Sequence, residues 1–279
     1  MSLRSDSISV IRGGRAILDG ISVELEPARL TAVMGPNGAG KSSLRKILSG
    51  EWPPDKGTVY LDNTPLHSLP PAVLARRRAV LPQEPRLGFP FSIEEVVRIG
   101  RYPWRGLATP EEDDTAVANA LRAVGLAAPP DALYTRLSGG EKQRLHLARI
   151  LAQLDRPAAA ESLPCFLFLD EPTNNLDLAG RQTCLRLARR LADNGTAVFA
   201  ILHDPNDAAR YADNVWLLKD GRLFASGPAA SVLTAPRLSD LFGVSIATAP
   251  ANGTATVFFA REAPDPPETG TQWSDSGRL

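Results

Sequence analysis

Several features that would point to a function class at once are missing from this sequence. Two cysteines, Cys165 and Cys184, occur among 279 residues. They are too few for a disulfide scaffold, so we expect two buried thiols in a reducing compartment. No apolar run approaches the roughly 20 residues of a membrane-spanning helix, and the first residues lack a signal-peptide core. The 31 basic and 31 acidic side chains balance, which excludes a chain-wide basic surface for nucleic acid.

The apolar pattern that is present predicts an α/β fold. Dense apolar runs at Arg29–Met34, Cys165–Asp170 and Thr196–Leu202 predict buried parallel strands, and short β segments precede the first of them. We expect one domain over residues 1–261. The last residues, 262–279, are rich in Pro, Gly, Ser and Asp, which predicts a disordered tail.

A stretch in the middle of the chain has a different secondary-structure pattern. Residues 89–137 carry helical signals and almost no strand signal. One of these signals is the sequence from Thr109 to Glu112, a capping box with proline at the first helical position. Because the strand pattern resumes afterwards, we expect an all-helical insertion in the α/β domain.

The strongest motif is a glycine-rich loop between a buried strand and a helix. Its sequence, GPNGAGKS, fits the GxxxxGK[ST] phosphate loop, in which backbone N–H groups and a helix N-terminus converge on an anion. We expect Lys41 to reach the β- and γ-phosphates and Ser42 to ligate Mg²⁺. The residues assigned to nucleotide binding here are Gly35, Pro36, Asn37, Gly38, Ala39, Gly40, Lys41, Ser42 and Ser43.

Two further motifs complete a phosphoryl-transfer pattern. The strand FLFLD ends in Asp170, a candidate Mg²⁺ carboxylate, and Glu171 follows as the candidate to polarise an attacking water. The sequence LSGGE places Ser138 at the start of a helix, which makes a second anion-binding helix end. Two such ends serve one γ-phosphate only if they come from different subunits, so we expect a dimer with nucleotide between the chains.

These motifs, in this order, resemble those of the ATP-binding-cassette (ABC) ATPases. The resemblance covers residues 7–245 and adds a glutamine loop at Gln83, a D-loop ending at Asp177 and a switch histidine, His203. It implies a P-loop NTPase (RecA-like) core with an N-terminal antiparallel β subdomain and an inserted all-helical subdomain. It also implies ATP and Mg²⁺ as cofactors.

The resemblance also implies roles for single residues. Gln83 would contact Mg²⁺ or the attacking water and relay its state to a membrane partner, and His203 would contact the γ-phosphate. Asp177 would line the interface of a homodimer. The γ-phosphate of the opposite subunit would be held by Ser138, Gly139 and Gly140. The catalytic set is therefore Glu171, His203, Gln83 and Lys41, and the metal set is Ser42, Gln83 and Asp170.

Within the family, stretches such as FPFSIEEVVRIGRYPW and HDPNDAARYADNVWLL are most similar to ATPase subunits of bacterial heme importers. This implies two permease subunits, a periplasmic binding protein and a peripheral place on the cytoplasmic face of the inner membrane. Importers of ferric siderophores and of cobalamin share most of these stretches and remain alternatives. A soluble ABC ATPase or a P-loop kinase or GTPase accounts for fewer of the motifs.

One departure from the family pattern concerns the adenine base. The family has an aromatic residue near the first strand, but no Phe, Tyr or Trp precedes Trp52 here. We hypothesise that Val10 or Ile11 gives apolar contact and that Arg12 or Arg15 stacks its guanidinium on the base. Val10→Tyr would then lower the Kd for ATP.

The insertion carries a second open question. Its aromatic residues include Phe91 and Trp104, close in sequence to Gln83. They are either anchors of a groove that accepts a short permease helix or packing of the insertion itself.

Overall fold

The computed structural model describes residues 2–83, 87–126, 128–160, 165–174, 176–250 and 256–261. The strands are β1 Leu3–Arg12, β2 Arg15–Ile21, β3 Glu24–Leu25, β4 Leu30–Met34, β5 Lys56–Leu61, β6 Thr64–Pro65, β7 Arg78–Leu81, β8 Phe166–Asp170, β9 Ala197–Ile201, β10 Asn214–Lys219, β11 Arg222–Pro228, β12 Ile246–Pro250 and β13 Thr256–Ala260. The helices are α1 Lys41–Leu48, α2 Pro71–Arg77, α3 Ile93–Ile99, α4 Pro110–Ala123, α5 Gly139–Leu154, α6 Leu178–Asp193, α7 Pro205–Tyr211, α8 Ala229–Val232 and α9 Ala235–Phe242. In these ranges no helix has both the length and the hydropathy to cross a membrane.

A six-stranded sheet forms the centre of the molecule. Its order is β11-β10-β4-β9-β8-β7, with parallel pairing from β10 through to β7 and β11 antiparallel at one edge. Every residue of β4, β8 and β9 is buried. This is the reason for their unbroken apolar runs, because helices cover both faces of such a sheet. The predicted buried strands are confirmed.

A second, antiparallel sheet is built from the N-terminal strands. It runs β2-β1-β5-β6, with β3 also paired to β1. Its inner face joins the phosphate-loop helix through a shared core that includes Val10, Leu18, Leu44 and Ile47. The predicted fold class, an α/β core with an N-terminal antiparallel β portion and a helical insertion, is confirmed.

The regular elements in the described part of the insertion are helices, apart from one isolated β-bridge between Ser92 and Leu133. Helices α3 and α4 begin at capping boxes formed by Ser92 with Glu95 and by Thr109 with Glu112. Their apolar faces share a separate core with the following helix, α5. Helix α5, which begins within the LSGGE motif, therefore packs on the insertion as well as following it in sequence.

The parallel sheet determines where the motifs lie. Gly35 follows β4, Glu171 follows β8, and His203 lies two residues past β9, while Gln83 lies two residues past β7. Since these strands are neighbours in one sheet, their carboxyl ends bring the four motifs to one edge, the usual ligand site of open α/β sheets.

Smaller elements agree with the sequence pattern as well. The hairpin of β10 and β11 turns at Asp220 and Gly221, and β12 pairs with β13. Both cysteines are buried and unpaired. The expected disordered tail over residues 262–279 lies outside the described residues.

Candidate active site

The phosphate loop has the backbone shape that its glycines allow. Gly40 caps α1 at φ +97°, and a Cβ there would come within 2.7 Å of the carbonyl oxygen of Ile17. A Cβ on Gly35, at φ +153°, would collide with the carbonyl of Leu218. Any larger side chain at these positions would displace the loop, so the glycines fix the direction in which its N–H groups point.

Lys41 is folded back on its own loop. Its Nζ donates to the carbonyl oxygens of Gly35, at 2.8 Å, and Pro36, at 2.9 Å. Burial lowers the pKa of this ammonium, and the nearby carboxylates of Glu171 and Asp170 oppose that shift. A phosphate group would supply a stronger acceptor than either carbonyl, so the lysine is poised to exchange partners.

Ser42 and Asp170, the predicted magnesium residues, lie in contact beside the phosphate loop. The Ser42 Oγ donates to Oδ1 of Asp170 at 3.2 Å, and the Asp170 residue is 3% exposed. Burial raises the pKa of Asp170, while Arg45 and Ser42 act in the opposite direction. A hydroxyl beside a carboxylate, next to a loop for phosphates, fits Mg²⁺, which is commonly held by one or two carboxylates and substrate phosphates.

The carboxylate of Glu171 is held by three side chains. Its Oε2 accepts from Nε2 of Gln83 at 2.6 Å and from Nδ2 of Asn174 at 2.5 Å. Its Oε1 lies 2.8 Å from Nε2 of His203. The residue also has φ +50°, a left-handed conformation that is uncommon for a non-glycine residue and is typical of functional sites. Three predicted catalytic residues are thus in direct contact.

The structure places Gln83 differently from its predicted metal role. Its amide nitrogen is engaged by Glu171, and no hydrogen bond joins it to Ser42 or Asp170 among the described residues. A metal role for Gln83 therefore stays a prediction.

The helix end predicted as a second anion site is occupied by its own capping box in this chain. Ser138 caps α5, and Glu141 closes a capping box on it, with Ser138 N donating to Oε2 of Glu141 at 2.9 Å. Ser138 and Gly139 are exposed. None of the described hydrogen bonds of Ser138 reaches the phosphate loop. The N-terminus of α5, from Ser138 through Gly140, is therefore accessible to another chain.

Asp177 has a structural role in this chain. Its Oδ1 accepts from the backbone N–H of Gly180 at 2.8 Å and so caps α6. The next residue, Leu178, is 73% exposed.

The proposal for Val10 as a base contact is wrong. Its side chain is fully buried in the core of the N-terminal sheet, so it cannot touch a nucleotide. Ile11 and Arg15 are exposed. Arg12 is exposed too, and it pairs with Asp55 at 3.1 Å.

Burial also divides the aromatic residues of the insertion into core and surface residues. Trp104 is 2% exposed, and its Nε1 donates to the carbonyl of Gln153, so the interpretation of Trp104 as a surface anchor is wrong. Tyr102 is 57% exposed and Phe89 70% exposed. A groove of about 380 Å³ lies in the insertion, with Phe91 and Tyr102 among its lining residues.

Sequence reasoning missed three residues that shape the site. Asn174, three residues before Asp177, donates to the carboxylate of Glu171. Arg45 is buried against Asp170, with Glu51 as its second partner. No sequence signal identifies them, because a charged residue on a surface helix is normally exposed.

A mainly parallel sheet, a phosphate loop, an acidic strand end and a histidine beside it at one edge define a class, the ATP-hydrolysing P-loop proteins with a helical insertion. A family model described as "ABC transporter" matches residues 18–174. The chain belongs to the ABC transporter family and is one of its ATP-binding-cassette ATPases.

Curated relatives match nearly the whole chain. The Hemin import ATP-binding protein HmuV of Rhodococcus jostii is 41% identical over 94% of this chain and 87% of its own length. The protein of the same name from Pseudomonas entomophila is 44% identical over 88% of this chain and 94% of its own length. A bacterial ABC transporter cassette solved as a dimer is 24% identical with a TM-score of 0.70, over 81% of this chain and 98% of its own. This last likeness shows the fold.

Proposed function

We propose that this chain is the ATP-hydrolysing subunit of a heme importer. The observation that carries the proposal is the near full-length match, at 41–44% identity, to proteins named for hemin import. The motifs themselves serve ATP, and the described residues form no site that argues for or against heme. The test below therefore also covers assignment to a ferric-siderophore or a cobalamin importer.

The chain would work on a membrane permease of two subunits, which a periplasmic binding protein supplies with substrate. It would sit peripherally on the cytoplasmic face of the inner membrane, attached through the permease. The groove in the insertion, with Tyr102 exposed beside it, is the surface we propose for a short permease helix. Exposed aromatic side chains at a groove are typical anchors of protein interfaces.

Two copies of the chain would enclose nucleotide between them. The exposed α5 N-terminus at Ser138, Gly139 and Gly140 would grip the γ-phosphate held by the partner's phosphate loop. Exposed Leu178, beside Asp177, would lie at the same interface. Within one chain no described hydrogen bond joins Ser138 to the phosphate loop, which supports an arrangement in which the two motifs meet across the dimer.

The proposed reaction begins when the γ-phosphate replaces the two carbonyls on Lys41. Ser42 and Asp170 would hold Mg²⁺, and Gln83 would join them; bound there, the ion offsets negative charge on the phosphate oxygens. Glu171 would be released from Gln83, Asn174 and His203 and take a proton from the attacking water. His203 would then donate a hydrogen bond to the γ-phosphate, and Lys41 would stabilise the charge that develops on it.

The test is isolation of the chain with its partners from native membranes, followed by ATPase assays. The complex is assayed with its binding protein loaded with heme, with cobalamin or with a ferric siderophore. We expect the largest stimulation with heme. Stimulation by cobalamin or siderophore alone would assign the chain to the corresponding importer, and absence of any membrane partner would favour a soluble ABC ATPase.

A further inference from the structure

Arg45 is the most deeply buried charged side chain beside the proposed metal site, and the proposed mechanism does not use it. Its side chain is 2% exposed. It lies four residues after Lys41 on α1, so the two side chains share one face of that helix. This face packs on the sheet at the end of β8, where Asp170 is located.

The guanidinium group of Arg45 is held between two carboxylates. Its Nε donates to Oδ2 of Asp170 at 2.9 Å. Its Nη1 and Nη2 donate to the two carboxylate oxygens of Glu51, at 2.5 and 3.3 Å. Glu51 is in turn fixed by the Ser49 hydroxyl, at 3.0 Å. A guanidinium held bidentately by one carboxylate presents its remaining donor in a fixed direction.

These contacts fix the orientation of the Asp170 carboxylate. Arg45 takes Oδ2, and the Ser42 hydroxyl takes Oδ1, so the rotation of the carboxylate is set. The oxygen that faces Ser42 is the one presented to the phosphate loop. Without Arg45, the Asp170 carboxylate would be buried with a single hydroxyl partner and free to turn.

We propose that Arg45, clamped by Glu51, is a positioning residue that orients Asp170 for Mg²⁺. The proposal rests on the proposed metal role of Asp170. Outer partners of metal ligands typically change metal affinity by about 10- to 100-fold when removed. Arg45 would therefore act on the metal dependence of nucleotide binding and leave metal-free binding nearly unchanged.

The experiment measures binding of AMPPNP, a nucleotide that is not hydrolysed, at increasing Mg²⁺ and in EDTA. For Arg45→Met we expect the Mg²⁺ concentration at half-maximal binding to rise about 10-fold or more, with the Kd in EDTA within about twofold of the unsubstituted chain. Arg45→Lys keeps the charge but not the bidentate clamp, so it should restore only part of the normal Mg²⁺ dependence. Lys46→Met is the matched control, because Lys46 neighbours Arg45 but lies over the ring of Trp52.

A second variant keeps the test decisive if Arg45→Met does not fold. Glu51→Gln retains Arg45 and its Asp170 contact but weakens the clamp, so it should shift the Mg²⁺ dependence in the same direction by a smaller factor. Unchanged Mg²⁺ dependence in the folded variants, or equal loss of binding with and without Mg²⁺, would overturn the positioning role. If AMPPNP binding to the unsubstituted chain were independent of Mg²⁺, the proposed metal role of Asp170 itself would be refuted.

Discussion

Oε1 of Glu171 lies 2.8 Å from Nε2 of His203, and the other carboxylate oxygen accepts from Gln83 and Asn174. Both oxygens of the proposed base are therefore occupied. These contacts use three of its roughly four lone-pair positions, so losing one of them would strengthen the carboxylate as a base. Control of hydrolysis would then lie in the partners of Glu171 as much as in Glu171 itself.

Glu171→Gln should nearly abolish turnover while preserving nucleotide binding. The amide has the size of the carboxylate but cannot accept the proton, and general-base catalysis contributes roughly 10²- to 10⁴-fold. Steady-state ATPase assays measure the loss, and size-exclusion chromatography with ATP should show a trapped dimer. Glu111→Gln, in the first turn of α4, is the control. Hydrolysis at near-normal rates in the Glu171 variant would refute the assignment.

Lys41→Ala should weaken nucleotide binding directly. Loss of a buried charge that meets a phosphate costs about 2–5 kcal/mol, or roughly 30-fold or more in Kd. Titration with a fluorescent ATP analogue measures this effect. Lys56→Ala removes an exposed ammonium in β5 and should leave the Kd unchanged. A Lys41 variant with unaltered affinity would exclude the phosphate loop as the binding site.

Val10→Tyr should destabilise the protein instead of improving ATP affinity. Val10 is fully buried, and adding bulk to a packed core typically costs about 1–3 kcal/mol. Urea unfolding monitored by circular dichroism measures the change. Improved ATP binding in a variant of unchanged stability would contradict the burial.

Arg12→Ala and Arg15→Ala distinguish the remaining candidates for the base contact. The Arg12 guanidinium lies 5.5 Å from the ring centre of Trp52 and pairs with Asp55, so its orientation is restrained. Stacking of a guanidinium is worth about 0.5–1 kcal/mol, which predicts a two- to fivefold higher Kd for ATP in the Arg12 variant and no change in the Arg15 variant. The opposite ranking would assign the base to Arg15.

Acid should destabilise the fold through His146. Burial, together with the nearby charge of Arg149, lowers the pKa of His146 to about 4, and the ring meets the Tyr134 hydroxyl at 3.2 Å. Because the unfolded chain binds this proton near pH 6.5, the stabilisation is complete above pH 6.5 and is lost as the pH falls towards 4.

The measurement is urea unfolding at pH 7.5 and pH 5. His146 should account for about 1–2 kcal/mol of the stability lost between them, and His146→Gln should remove that part of the loss. His67, exposed in the short helix Leu66–Ser68, provides the matched control as His67→Gln. An identical pH dependence in both variants would refute the buried neutral state of His146.

The sequence was sufficient for features that depend on local chemistry. A buried parallel strand must be apolar along its whole length, so β4, β8 and β9 could be recognised, and so could the motifs at their ends. Capping boxes such as the one at Thr109 are readable because both partners lie three residues apart.

What could not be predicted depends on tertiary partners. Val10 shares the buried face of β1 with Ile8, and Ile11 lies on the exposed face; the apolar sequence Val10-Ile11 does not itself tell which of the two side chains faces the core. Arg45 is buried only because Asp170, 125 residues away, lies beside it. The presence of a tryptophan at position 104 does not tell whether its side chain is buried or exposed.

The two ends of the helical insertion are joined to each other. The backbone N–H of Tyr134 donates to the carbonyl of Phe91 at 2.8 Å, and that of Ile93 donates to Ala132 at 2.9 Å. The entry of the insertion is thus tied to its exit, four residues before Ser138. If the permease docks on the insertion and Ser138 binds the partner's nucleotide as proposed, a displacement at this entry would be passed to the nucleotide contact through these two hydrogen bonds.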